Sequence, residues 1–146
     1  MEKARPVYYI VLTAFSAVGA ALVEALGGWD RSLQILIGFM AVDYILGIVI
    51  ALVWKVSPKS ADGTFESRAS LKGLFRKGGI LAVVYVGAQL DILTGSRWYI
   101  RTAVVLFFLA NEGFSIIENL GIMGLPMPPV IKDAFAAIKK QSEPNK

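Results

Sequence analysis

The residues best able to do chemistry lie in an otherwise apolar stretch near the C-terminal third of the chain: Asn111, Glu112, Ser115, Glu118 and Asn119. At 100° per residue these five fall within an arc of about 120° on one helix, opposite Phe107, Leu109, Phe114 and Ile117. A further carboxylate, Asp43, is the only charge in a long apolar run, and Gly47 and Ala51 follow it at helical spacing. Such groups can bond helices to one another, line water or carry protons. They cannot build the commoner catalytic centres. The chain has no Cys and no His, which removes thiolate nucleophiles, Cys-ligated metals and the commonest general base and nitrogen ligand. No enzyme activity, metal or cofactor is expected.

The elements that must hold these residues are membrane helices. Of 146 residues, 55% are hydrophobic and 18% charged, with a mean hydropathy of +0.60; a soluble domain of this size could not bury that much apolar surface. Four runs reach the roughly 20 residues needed to cross a ~30 Å hydrocarbon core: residues 7–27, 33–54, 74–93 and 98–121. The first is too long for the 7–15-residue core of a secretory signal and reads as a retained span. The expected fold is therefore all-α: a polytopic membrane domain over residues 1–129, followed by a cytoplasmic amphipathic and polar tail over 130–146. The tail spaces Ile131, Phe135 and Ile138 on one face. Pro58 and the Asp62-Gly63 turn predict a loop over 55–63.

Orientation follows from the positive charges. Twelve of the 15 Lys and Arg fall at the N-terminus, in the loop after the second span and in the tail; Arg31, Arg97 and Arg101 fall on the other side. Both termini are expected in the cytoplasm. Trp29, Trp54 and Trp98 all fall at span ends, where amphipathic rings favour the headgroup level. Arg68, Lys72 and Arg76 recur every four residues with Lys77 beside them, predicting a short interfacial helix on anionic headgroups before the third span.

Ionisable residues within spans are costly and point to function. At 1.5 Å per residue, Asp43 lies about 15 Å into the second span and Glu112 about 21 Å from the outer face. No Lys or Arg is expected at their depth, leaving three readings open: carboxyls hydrogen-bonded between helices, for instance to Asn111; carboxyls facing a hydrated space or a second copy of the chain; or carboxyls coupled to proton transport. Asp91 with Arg101, and Glu24 with Arg31, flank the two outer turns and are expected to form salt bridges. The Asp43–Gly47–Ala51 seam and the fourth-span stripe suit either packing within one chain or a homo-oligomer.

These features together resemble the four-helix bacteriophage holins grouped with clostridial toxin-secretion holins. The resemblance runs from Asp43-Tyr44-Ile45-Leu46-Gly47, through Ser67-Arg68-Ala69-Ser70-Leu71-Lys72-Gly73-Leu74, Lys77 and Asp91, to Asn111-Glu112-Gly113-Phe114-Ser115-Ile116-Ile117-Glu118-Asn119-Leu120-Gly121, then Gly124, Pro126 and Pro128. It implies a phage or prophage protein of the bacterial cytoplasmic membrane whose copies assemble into holes. These release an endolysin, with no direct contact needed, or a secreted toxin. A small proton-coupled multidrug exporter and a non-transporting membrane adaptor are the alternatives. The basic excess is read as topology and anionic-lipid contact, with no nucleic-acid partner.

Overall fold

The structure, a computed structural model, describes residues 4–55 and 67–142; most of the loop expected at 55–63 lies outside the described residues. Among the described residues five α-helices follow one another: α1 (Ala4–Ala25), α2 (Arg31–Val49), α3 (Ser67–Thr94), α4 (Tyr99–Ile122) and α5 (Pro129–Ser142). Four of them are long and apolar enough to cross a membrane, over Pro6–Ala25, Arg31–Trp54, Arg68–Thr94 and Tyr99–Ile122.

Local chemistry sets the helix ends. α1 stops where Gly27 and Gly28 take φ of +86° and +100°, and their N–H groups return to the carbonyls of Glu24 and Val23, a left-handed C-terminal closure that Gly permits without steric cost. α2 starts from Asp30, whose carboxylate accepts the Leu33 N–H at 2.8 Å, satisfying one of the orphan donors of a first turn. α2 continues into a π-helical turn, Ile50–Trp54, a widening often found beside functional seams. It ends at Lys55, in the left-handed region at φ 52°.

α3 is one continuous helix of 28 residues, about 42 Å long and so longer than the hydrocarbon core it must cross. Arg68, Lys72 and Arg76 therefore form its first turns, overhanging the span. This corrects the expectation of a separate interfacial element: nothing breaks the helix between the basic stripe and the apolar run.

The core forms where α2, α3 and α4 meet, from Leu33, Leu36, Met40, Ile80, Val84, Val105 and Leu109. α4 is central, with α2 and α3 on two sides and α5 along a third. α1 stands apart. No residue of its apolar window is buried, Phe15 is 75% exposed, and it is tied to the bundle through contacts such as Gln89 Nε2 donating to the Ala25 carbonyl at 3.1 Å. Exposed apolar surface on that scale suits hydrocarbon or another protein, not water.

Candidate functional site: a buried ion cluster within the bundle

α2, α3 and α4 each contribute to one polar cluster. Lys77 of α3 points inward and donates from Nζ to Asp43 Oδ2 of α2 at 2.9 Å and to Glu112 Oε2 of α4. Asn119, two turns further along α4, donates from Nδ2 to Asp43 Oδ1 at 2.9 Å. All four side chains belong to buried residues, with Asp43 only 4% exposed. Counting from the end of the bundle where α2 and α4 start, Asp43 lies twelve residues past Arg31 and Glu112 thirteen past Tyr99, about 18 and 20 Å deep. Lys77 lies seventeen residues before Thr94, about 26 Å from that face, within reach of both carboxylates along its flexible stem. Charges withdrawn from water this far persist only when paired and hydrogen-bonded, and among the described residues no buried side-chain polar atom lacks a partner.

Beside the cluster lies a cavity of about 360 Å³, lined by Asp43, Lys77, Glu112 and Ser115 together with Tyr44, Lys72 and Arg76. Lys72 and Arg76 are exposed, while the Tyr44 hydroxyl is engaged with the Ser70 hydroxyl at 2.7 Å. The bundle thus has a charged interior that reaches toward the basic end of α3.

Two expectations are corrected here. The basic run groups Lys77 with the headgroup-binding residues and predicts no cation at the depth of Asp43 and Glu112; the structure places Lys77 between them. The signal was available: Arg68, Lys72 and Arg76 share a four-residue spacing that Lys77 breaks, and 100° of helix rotation separates it from Arg76. The fourth-span stripe divides rather than acting as a unit. Glu112 and Asn119 enter the cluster, Asn111 and Ser115 are half-buried, and Glu118 is exposed. On α2, Ala51 is buried and Gly47 half-buried along the same seam as Asp43.

A second polar node closes the other end of the bundle. Arg101, 2% exposed, donates from Nη1 to Asp30 Oδ2 at 2.6 Å, from Nη2 to the Gly28 carbonyl at 3.2 Å and from Nε to the Leu26 carbonyl at 2.5 Å. Its guanidinium therefore reaches across the fold to the α1–α2 turn. The expected Asp91–Arg101 side-chain bridge does not form. Asp91 instead accepts the backbone N–H groups of Ile100 and Arg101, at 2.9 and 2.7 Å, and the Ser96 hydroxyl. The reason lies in the turn: Trp98, at φ 67°, precedes α4 without a side-chain cap, so Asp91 satisfies the orphan donors. Glu24 and Arg31 likewise form no ion pair among the described residues; the ion pair at this turn is Asp30 with Arg101. Burial raises the Asp30 carboxyl, but hydrogen bonds from Arg101, the Leu33 N–H and Ser32, with the Arg101 charge, outweigh it and hold the group below the ordinary carboxylate range. Gly27 is required at this node, since a Cβ there would lie 2.7 Å from Arg101 and 2.8 Å from Trp98.

Comparison with known proteins adds an independent finding. The chain is 32% identical over 126 residues to an uncharacterized 14.9 kDa protein of the nagH 3′ region of Clostridium perfringens, covering 86% of this chain and 89% of the relative. It is 33% identical over 124 residues to the uncharacterized protein Lmo0128 of Listeria monocytogenes, covering 85% and 83% of the two chains. It is 31% identical over 116 residues to a probable holin of Bacillus phage phi105, covering 80% of each. No solved structure matches the chain significantly. A family model described as "Bacteriophage holin family" matches residues 20–140, a stretch that holds the buried cluster and both helix turns at the Arg101 node, and the chain belongs to that family.

Proposed function

We propose that the chain accumulates in the bacterial cytoplasmic membrane with both termini inside and assembles there into a hole, releasing an endolysin or another protein cargo. Its role is non-enzymatic. The observation that carries this reading is the Asp43–Lys77–Glu112–Asn119 cluster: carboxylates satisfied inside one copy by Lys77 and Asn119, with Asp43 and Glu112 at a depth where lipid cannot satisfy them. In a dispersed chain the cluster is closed and the exposed face of α1 is apolar. When copies crowd together, the same groups can bond across subunits or face water, so the cluster is a store of polar wall that a lipid-facing monomer keeps hidden. The exposed apolar face of α1 favours association between copies, and the small seam Asp43–Gly47–Ala51, covered within one copy, is free to repartner once copies crowd. The basic turns of α3, Arg68, Lys72 and Arg76, favour anionic headgroups on the cytoplasmic side.

The test is induced expression with and without a cytoplasmic muralytic enzyme, following culture turbidity and release of a folded cytoplasmic protein. Abrupt clearing only when both proteins are present is the expected result. Sealed membranes at high expression, or proton-dependent efflux of dyes without protein leakage, would overturn it.

A further inference from the structure

α5 is composed like a surface helix and seated like an integral one. It carries Lys132, Asp133, Lys139 and Lys140 along with its apolar Ile131, Phe135 and Ile138. It nevertheless lies along α4. The Phe135 ring rests on Gly113, edge-on to Phe39 of α2 at 5.7 Å and tilted against Phe114 at 6.1 Å. Further along, Lys139 Nζ stands 6.0 Å from the centre of the Phe107 ring.

These contacts fix depth and direction. Gly113 lies nine residues, and Phe107 fifteen, before Ile122, so α5 climbs from about 14 to about 23 Å above that end of α4. α4 has 24 residues and is about 36 Å long, which puts Lys139 close to mid-bilayer. The seat is also shape-specific. A Cβ at Gly113 would lie 2.4–2.6 Å from three atoms of the Phe135 ring, so no other residue allows this approach without a shift. Yet Lys140 is exposed on the seated helix close to that depth, with Lys132 and Asp133 exposed nearer its start, and ionised side chains facing hydrocarbon are strongly disfavoured toward the bilayer centre. Seated α5 therefore demands water on its outer side.

We propose that α5 is a two-position segment of the hole, seated on α4 through Phe135 and Gly113 only where that side of the bundle faces water, so that its lysines form part of the wall, and withdrawn to the anionic membrane surface while lipid surrounds the chain. This rests on the hole-forming reading above. The withdrawn position has its own logic. A cationic amphipathic helix binds an anionic interface, and Gly124, at φ +83°, with Pro126 and Pro128, leaves a non-helical link before α5 on which it can pivot. Because seating and hydration occur together, each stabilises the other. Seated α5 would favour the open assembly rather than block it.

The experiment exploits the absence of cysteine from the chain. Phe107→Cys with Lys139→Cys in the full-length protein is treated in cell membranes with a short bifunctional thiol reagent, before and after entry of an impermeant dye reports opening. Intrachain cross-linking should rise several-fold on opening. Gly113→Ala, placed in the same background, should reduce the cross-link and delay dye entry, and Phe135→Ala should do the same without touching α4. Dye entry with cross-linking equal before and after, or insensitive to both substitutions, overturns the two-position segment and leaves the hole-forming reading standing. No dye entry at any expression level overturns both.

Discussion

Replacing Lys77 with Met gives the sharpest test of the buried cluster. The substitution keeps an unbranched apolar stem of similar length and removes only the ammonium. Glu112 loses its ion partner, and Asp43 loses one of its ligands while keeping the Asn119 amide at 2.9 Å. Both carboxylate side chains are nearly dry, 6% and 10% exposed, so little solvent screening discounts the loss. Removing one member of a buried pair typically costs about 3–5 kcal/mol, roughly two to three and a half powers of ten in the equilibrium between packed and separated helices. The packing of α2, α3 and α4 around this point should weaken accordingly. Neutralising Glu112 as well reverses much of that cost, because it removes one of the two like charges that Lys77 held together and restores the net charge of the cluster, while Asp43 keeps its bond from Asn119. Thermal unfolding in detergent and time to turbidity loss at matched expression would be measured for Lys77→Met, Glu112→Gln and the double variant. The single Lys77 variant should be the least stable and should change lysis timing, and the double variant should recover much of the loss. If Lys77→Met matched the parent in both assays, or the two substitutions were strictly additive, the cluster would not hold these helices together.

Other outcomes follow from the opposite end of the bundle. Arg101→Lys keeps the charge but cannot span Leu26, Gly28 and Asp30 at once; with hydrogen bonds to charged groups each contributing about 1.5–3 kcal/mol, a loss of a few kcal/mol should appear as a lowered unfolding temperature and easier proteolysis at the α1–α2 turn. Asp91→Ala removes the acceptor for the first turn of α4 and should cost about 1–2 kcal/mol, the usual worth of an N-terminal cap, read by thermal unfolding. The Asp30 carboxyl has a depressed folded value, so its contribution is present above the unfolded value near 3.9 and is lost as pH falls through the lower folded value. Stability due to this clamp should be flat between pH 5 and 8 and decline only under acid, and Asp30→Asn should remove that acid dependence in unfolding measured against pH.

The amino-acid sequence by itself determined that the chain is a bundle of four spanning helices, because apolar runs of that length have no other way to satisfy their backbone. It also determined that Glu112 and Asn119 share a face, since rotation per residue is fixed within a helix, and that Ile131, Phe135 and Ile138 form an apolar stripe. What stayed illegible were pairings between helices. Lys77 follows a basic run and reads like a headgroup ligand until α2 and α4 are brought against α3; whether it meets a phosphate or two carboxylates depends on which way that helix is turned. Arg101 has an acidic neighbour ten residues away in Asp91, yet meets Asp30, 71 residues away, because Asp91 is committed to the exposed donors of the α4 first turn. The stripe on α5 could not name its own partner either, and only Gly113, a notch between Phe39 and Phe114, decided where Phe135 would sit. Periodicity is a property of one helix and is written in its residues; which faces meet depends on how several helices pack at once, and packing is settled by shape and charge across distances the sequence does not display.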